Sequence, residues 1–353
     1  WPASPSSGGS FDEPNDPNRG DVHYWEVWHG NKPFSEYRKY FFRYASEFGF
    51  QSFPSVKTLE TVTDDPKELN PFSYVMEKHQ RNYGGNGKIA KYMQAAYRYP
   101  ENFSDFVYAS QLLQADGIRY GVEHYRRNRG RCMGAIYWQL NDCWPVISWS
   151  SIDYYGRWKA LHYYAKRFFA PVMLSCEEQS WMTVEADMNR QHFEFEKSIR
   201  LNVTNETLDA HRVLVKWAVR KTDATILREE EQWLEVPVLS AVWMDKVELP
   251  QIDCFNEYVS YEAWENDQII SQGTVIFSYP KYFHYLNPGL AVRVDGDEIV
   301  VKAEAYAKSV EIRNENDDLI LEDNYFDMNA GEYRVKILDG KPDGLKVRSV
   351  YDI

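Results

Sequence analysis

The residues able to do chemistry gather in three short runs, each mixing acidic or amide groups with aromatics. The first is Ala45-Ser46-Glu47-Phe48-Gly49-Phe50-Gln51-Ser52. It reads as the end of a buried strand, with a carboxylate just before a glycine that permits a tight turn. Such a carboxylate can attack an electrophilic carbon or carry a proton. In a barrel of parallel strands the C-terminal strand ends form the active face. Burying the group without a task would cost desolvation. The competing reading is that Glu47 caps a helix or pairs with Arg43, and spacing alone leaves both open. The second run, Trp138-Gln139-Leu140-Asn141-Asp142-Cys143-Trp144-Pro145, again follows a strand. Two indoles, two amides and the Asp142 carboxylate are the mixture that an array of sugar hydroxyls requires, although core packing explains Trp138 as well. The third, Gly20-Asp21-Val22-His23-Tyr24-Trp25-Glu26-Val27-Trp28-His29-Gly30, is a polar-aromatic loop upstream of the Glu47 strand, or simply a structured surface loop.

The elements that must hold these runs follow from periodicity. Phe42–Phe48 and Cys132–Trp138 are short and mostly apolar, as suits strands of a parallel sheet covered on both faces. Between them Lys88–Tyr99 and Phe103–Arg127 show helical spacing, broken at Pro100. Trp158, Leu161, His162, Ala165 and Phe169 share one face of a further helix that ends at Ala170-Pro171. Residues 1–170 therefore read as a β/α repeat. Beyond them the pattern changes to short alternating strands: Phe193, Phe195 and Ile199–Val203, then Val213–Val219, Tyr258–Trp264 and Thr274–Phe277. A boundary is expected near 281. A second all-β run follows, with strands over Ala291–Val294, Ile299–Ala305, Val310–Arg313, Leu319–Leu321 and Tyr333–Ile337, the first pair joined by an Asp295-Gly296-Asp297 hairpin. The division expected is thus 1–170, 171–280 and 281–353.

Bulk composition narrows the partners. At 353 residues the chain exceeds one ordinary core of roughly 100–200 residues. Hydrophobic residues at 44% and charged residues at 26% suit a globular protein. The net charge of -13 argues against nucleic acid, since phosphate binding needs concentrated Lys and Arg. No apolar run approaches the ~20 residues of a membrane span. Cys132, Cys143, Cys176 and Cys254 are scattered and read as free thiols. Without HExxH or a Cys/His cluster, neither metal nor cofactor is expected. Gly84-Gly85-Asn86-Gly87-Lys88 lacks the strand and the Ser or Thr of a phosphate loop, and His162 reads as a core histidine. Asn102, Asn202 and Asn205 head glycosylation-type triplets that carry weight only in a secreted eukaryotic protein. Aromatics reach 16%, with 12 Trp and 26 Tyr, and crowd before residue 170, which fits both a large core and stacking against sugar faces. The opening Trp1-Pro2-Ala3-Ser4-Pro5 has neither an initiator Met nor a signal pattern. The chain is expected to start inside a longer protein, with the compartment undecided and cytoplasmic favoured over periplasmic, secreted or lysosomal.

The runs GDVHYWEVWHG, SEFGFQSFPS and YWQLNDCWPVISWSSIDYYGRWKALHYYAKR closely resemble the β-mannosidases of glycoside hydrolase family 2. The likeness is strong over residues 1 to about 170 and extends to the remainder only in layout. It implies the C-terminal half of a (β/α)8 barrel followed by two immunoglobulin-like β-sandwich domains. It further implies a retaining exo-hydrolase of terminal β-D-mannose in which Glu47, at the end of barrel strand 7, is the nucleophile. Trp138, at the end of strand 8, would line the terminal-mannose subsite, and Trp25 and His29 would lie in the loop approaching the nucleophile. His29 stands where some relatives carry a Tyr that bonds the nucleophile, and could donate a similar bond. Asp142 joins these as a candidate sugar ligand from the second run. The family's acid/base Glu follows an Asn at the end of strand 4, which would precede Trp1. Asn205-Glu206, Asn256-Glu257 and Asn314-Glu315 fall in the expected sandwiches and are rejected for that role. The partners implied are an oligosaccharide or mannoside and the preceding part of the same enzyme, with a homodimer left open. The alternatives are another activity of the family (β-galactosidase, β-glucuronidase or exo-β-glucosaminidase) and a noncatalytic carbohydrate-binding or assembly protein.

Overall fold

The computed structural model describes residues 15–184 and 194–353, so the Trp1–Pro5 opening and Phe193 lie outside the described residues. The first part is built on three parallel strand segments. β1 (Val22–His23) pairs with β2 (Ala45–Glu47), and residues 133–138 run parallel along the other edge of β2. The second seam is continuous: Met133 N–H donates to Arg43 O (2.8 Å), Ala45 N–H to Gly134 O (3.0 Å), Ile136 N–H to Ala45 O (2.8 Å) and Trp138 N–H to Phe48 O (2.8 Å). Val22 and His23, expected in a loop, are instead a strand. Two residues in a polar-aromatic run show no alternation, and only pairing with a segment more than twenty residues away makes them one.

Short helices α1 (Val56–Leu59) and α2 (Tyr74–Lys78) precede three longer ones, α3 (Gly85–Ala96), α4 (Phe103–Arg127) and α5 (Ala160–Phe168). α3 starts earlier than its apolar spacing indicates, because Gly84 takes φ +70° and lets the chain turn into the helix. α4 begins where Asn102 Oδ1 accepts the Asp105 amide at 3.0 Å. It is buried over most of its 25 residues because it lies between the strand layer and the C-terminal sandwich.

The middle unit comprises β3 (Val172–Gln179), β4 (Ser198–Asn205), β5 (His211–Lys221), β6 (Ile226–Val236), β7 (Ser240–Trp243), β8 (Val247–Glu248), β9 (Glu257–Glu265) and β10 (Gln268–Ile276). A β10-β9-β5-β6 sheet faces a β3-β4-β7 sheet, with β8 joined to β4. Val203, Val215, Trp217, Val259 and Phe277 fill the space between them. The last unit holds β11 (Ala291–Asp295), β12 (Glu298–Ala303), β13 (Ala307–Arg313), β14 (Ile320–Leu321), β15 (Phe326–Met328), β16 (Gly331–Asp339) and β17 (Lys346–Arg348), in sheets β11-β12-β16-β14 and β15-β13-β17. The Asp295↔Glu298 pairing with Gly296 at φ +67° is the expected hairpin.

These units are a TIM-barrel portion and two immunoglobulin-like β-sandwiches. The last sandwich shares one continuous core with the barrel portion. Ile299, Val310 and Phe326 join Tyr108, Leu112 and Tyr163 in it, and Tyr108 Oη donates to Ser309 O at 2.6 Å. The middle sandwich is tied on by a buried ion pair. Arg38 donates to Glu178 O (2.8 Å) and Oε2 (2.7 Å), and the Tyr120 hydroxyl donates to the other carboxylate oxygen. Among the described residues no helix is long and apolar enough to cross a membrane.

Candidate functional site

All three runs end on the same side of the strand layer, because parallel strands deliver their C-terminal ends together. In register, His23 lies beside Glu47. The Tyr24 amide donates to Glu47 O at 2.7 Å, which fixes the backbone on which the carboxylate stands. His23 Nδ1 is 2.7 Å from Glu47 Oε2, and the Glu47 side chain keeps 21% exposure. One carboxylate oxygen is therefore held while the group still faces open space. Below it, the Ser46 hydroxyl donates to Asp21, pinning the approach to β1 against β2.

Gly49 sets how tightly the site closes. A Cβ there would lie 2.4 Å from Trp138 O and 3.0 Å from both Trp149 Cδ1 and Trp25 Cη2. Only a residue without a side chain lets three tryptophans meet two positions after Glu47. Trp25 and Trp149 pack edge to face at 6.1 Å, and Trp28 meets Trp149 at 6.2 Å from behind. Trp138 is half exposed at 46% and joined to Gln139 by a cis peptide. Its indole is not packed into the core of the described residues.

The remaining expected residues divide. His29 is exposed, with its ring 5.1 Å from that of Trp25. Partial desolvation and then the Lys88 ammonium hold its imidazole below the usual histidine range. Its side chain makes no hydrogen bond to Glu47 among the described contacts, and the imidazole that does so is His23. Asp142 is 8% exposed: one oxygen accepts from Ser148 Oγ (2.7 Å) and Gln139 Nε2 (3.3 Å), the other from the Ser150 hydroxyl. Its position is a brace inside the 139–150 loop. Lys159 lies buried close by and donates to Ser52 O (3.3 Å) and Ser148 O (3.5 Å), where burial lowers its pKa to about 8 against the pull of Asp142 and Asp153.

His162 Nδ1 is 3.1 Å from Ser151 Oγ and its ring meets Trp158 at 4.5 Å, a satisfied structural histidine. The three Asn-Glu pairs belong to the two sandwiches. Asn205 closes β4, Glu257 opens β9, and Asn314 follows β13. All four cysteines are free. Among the described residues no group of three His, Cys, Asp or Glu could hold a metal ion.

His23 and Gly49 are the contributors that spacing did not single out. The glycine two positions after the acidic residue was visible, but its closeness to two indoles and the Trp138 carbonyl depends on how the loops return. His23 could have been found only by knowing that residue 22 starts a strand in register with Ala45.

Residues 197–282 match a family model described as a mannosidase Ig/CBM-like domain, and 285–353 one described as an Ig-fold domain. A β-mannosidase B of Thermothelomyces thermophilus is 30% identical over 96% of this chain and 42% of its own length. A β-mannosidase of Capra hircus is 37% identical over 45% of this chain and 19% of its own. The crystal structure of a β-D-mannosidase from Dictyoglomus thermophilum superposes with a TM-score of 0.82 at 27% identity, covering 95% of this chain and 41% of that one. An exo-chitosanase from Amycolatopsis orientalis shares the fold at 16% identity and a TM-score of 0.62, over 90% of this chain and 45% of its own. The chain thus spans about two fifths of the length of the first relatives it matches.

Proposed function

The chain belongs to the β-mannosidases of glycoside hydrolase family 2, corresponding to their C-terminal part, and from that premise we propose that it carries the nucleophile half of a retaining exo-β-mannosidase site. Glu47 is the attacking carboxylate. One oxygen forms a bond to the anomeric carbon of a terminal β-D-mannose as the bond to the leaving oxygen breaks. Water then cleaves the glycosyl ester and returns the carboxylate. The observation that carries this reading is Glu47 at a parallel strand end, one oxygen held by His23 at 2.7 Å and the group still partly open, with the Trp25 ring against Gly49 two positions on and half-exposed Trp138 at the neighbouring strand end. The indole faces would stack on the C–H face of the sugar. Asp142 has no place among the sugar contacts in this reading, because its oxygens are committed to Ser148, Gln139 and Ser150. Trp25 and His29 form the approach wall rather than a hydrogen-bonding partner of the nucleophile.

Retention needs a second carboxyl roughly 5–5.5 Å from the first to protonate the leaving group. In this proposal that acid/base, with the rest of the barrel, comes from the preceding part of a longer enzyme. The division adopted is 1–170 for the barrel portion and 171–280 and 281–353 for the sandwiches, in keeping with family-model matches over 197–282 and 285–353.

The test is covalent trapping. A 2-deoxy-2-fluoro mannoside with an activated leaving group, incubated with the longer enzyme, should add one fluoromannosyl unit to the peptide containing Glu47. Label on another carboxylate, or no label from an enzyme that turns over β-mannosides, would refute the assignment. The 353-residue chain alone should release no p-nitrophenol from its β-mannoside.

A further inference from the structure

The outer face of the middle sandwich carries a row of apolar side chains that its own core does not use. On β5 the odd positions Val213, Val215, Trp217 and Val219 point into the sandwich, so the even positions face outward. Leu214 pairs with Trp233 on β6 and with Trp264 on β9, and Trp264 pairs with Ile269 on β10. Trp233, Leu214, Trp264 and Ile269 therefore lie in one line across all four strands, and none belongs to the sandwich core. Trp233 is 54% exposed and Ile269 42%. Exposed apolar side chains in a contiguous row, rather than scattered singly, mark a binding surface.

The rows on either side are polar and internally neutralised. Arg212 pairs with Glu235 at 3.2 Å and lies over the Trp233 ring at 4.6 Å. Lys216 pairs with Glu231 at 3.6 Å and lies over Trp264 at 5.3 Å. Trp264 Nε1 donates to Glu262 at 2.9 Å, which fixes that indole. Each cation is thus shared between a carboxylate and an indole, leaving no unpaired positive charge for a polyanion. The face has a surplus of carboxylates through Glu229 and Glu262. A second copy pairing along the β6 edge is disfavoured too. Arg228-Glu229-Glu230-Glu231 on that edge would meet like charges in a symmetric antiparallel ladder.

What fits is a neutral ligand with flat apolar faces and many hydroxyls. The strands bearing Trp233 and Trp264 are separated by β5 alone, so the two indoles stand about 10 Å apart along the row. That span would place the ring faces turned away from Arg212 and Lys216 against every second ring of an extended ribbon of β-1,4-linked hexopyranoses, with Glu231, Glu235 and Glu262 beside it as hydroxyl partners. We propose that the Trp233–Leu214–Trp264–Ile269 row is a carbohydrate-binding surface for a β-1,4-linked hexopyranose chain, separate from the Glu47 site. The surface would hold a polymer while its end is processed elsewhere, and it stands whether or not Glu47 is a nucleophile.

Native electrophoresis of the chain through gels with and without soluble glucomannan tests this. The wild-type chain should be retarded by the polymer, and Trp233→Ala or Trp264→Ala should each weaken the association about tenfold. Ile269→Lys, a surface change that empties no cavity, should weaken it as well if an indole variant misfolds. Trp138→Ala should leave retardation intact. The proposal falls if the wild-type chain is not retarded, or if the Trp233→Ala/Trp264→Ala double variant is retarded as strongly. It falls equally if Trp138→Ala alone abolishes the effect, or if light scattering finds a dimer that Trp233→Ala dissociates. Failure to trap a glycosyl group on Glu47 would leave every one of these readouts unchanged.

Discussion

The same substitution, glycine to alanine, should act with opposite signs at two positions 38 residues apart. At Gly49 the new methyl would sit 2.4 Å from the carbonyl oxygen of Trp138 and 3.0 Å from atoms of Trp149 and Trp25. Backbone is the nearest neighbour, so rotamer change cannot relieve the contact. The 133–138 segment must move away from β2 by roughly 0.5–1 Å to reach ordinary separation. That motion strains the Trp138 N–H to Phe48 O bond, now 2.8 Å. Overpacking of this kind costs about 1–3 kcal/mol. For a unit the size of the barrel portion each kcal/mol lowers Tm by about 2–4 °C, so Gly49→Ala should lose on the order of 2–12 °C. At Gly87, in the first turn of α3, an added Cβ meets nothing within 4 Å. There alanine gains up to about 1 kcal/mol of helix propensity, and Tm should rise by a few degrees. Differential scanning calorimetry of the two variants beside the wild type reads both signs. Near-UV circular dichroism should change for Gly49→Ala, whose methyl displaces the Trp25 and Trp149 indoles and the Trp138 backbone, and stay constant for Gly87→Ala. In the longer enzyme, an error of this size at the nucleophile should slow fluoromannoside trapping by about 10²-fold. A Gly49→Ala chain melting at or above the wild-type temperature would refute the close-approach argument.

Other consequences follow from the buried charges and from His23. Arg38→Met should cost roughly 3–5 kcal/mol by leaving Glu178 unpaired, and Arg38→Met/Glu178→Gln should recover much of it, both read by urea unfolding. Burial raises the Glu178 carboxyl, but Arg38 and the Tyr120 hydroxyl more than reverse this and hold it below the usual range. The stability it contributes should be present above about pH 4.3, the unfolded value, and be lost as pH falls through the lower folded value. Lys159, lowered to about 8 by burial against Asp142 and Asp153, works the other way. Its cost is full below pH 8 and is relieved as pH rises toward the unfolded value near 10.4. The Tm of Lys159→Met minus that of wild type should therefore shrink steadily over this interval, and a constant difference would contradict the buried-ammonium account. In the longer enzyme His23→Ala should slow trapping on Glu47 by about 10–100-fold with little change in Tm, whereas His29→Ala should alter it far less.

Much of the scaffold was legible because its signals are local. Pro100 ahead of an apolar periodic run delimits α4 without reference to the rest of the chain. Asp295-Gly296-Asp297 specifies its hairpin in the same way. Elements without local contrast escaped. β6 is an edge strand exposed through most of its length, so Arg228-Glu229-Glu230-Glu231 shows no apolar alternation, and its identity rests on pairing with β5. β3 is buried on both faces, and its apolar run beyond Pro171 resembles any short core segment.

The site divides along the same line. Position at a strand end is a local property, and it singled out Glu47 and Trp138 from their immediate neighbours. The orientation of a hydrogen bond toward Glu47 depends on register between segments 24 residues apart. In a parallel pair a shift of one residue moves a side chain to the opposite face. With Val22 opposite Ala45, His23 comes to the side of Glu47. His29, six residues on and past the Trp25 turn, is carried outward. The family resemblance implied a histidine serving the carboxylate from this loop, whereas the choice between two histidines rested on a backbone pairing only two residues long.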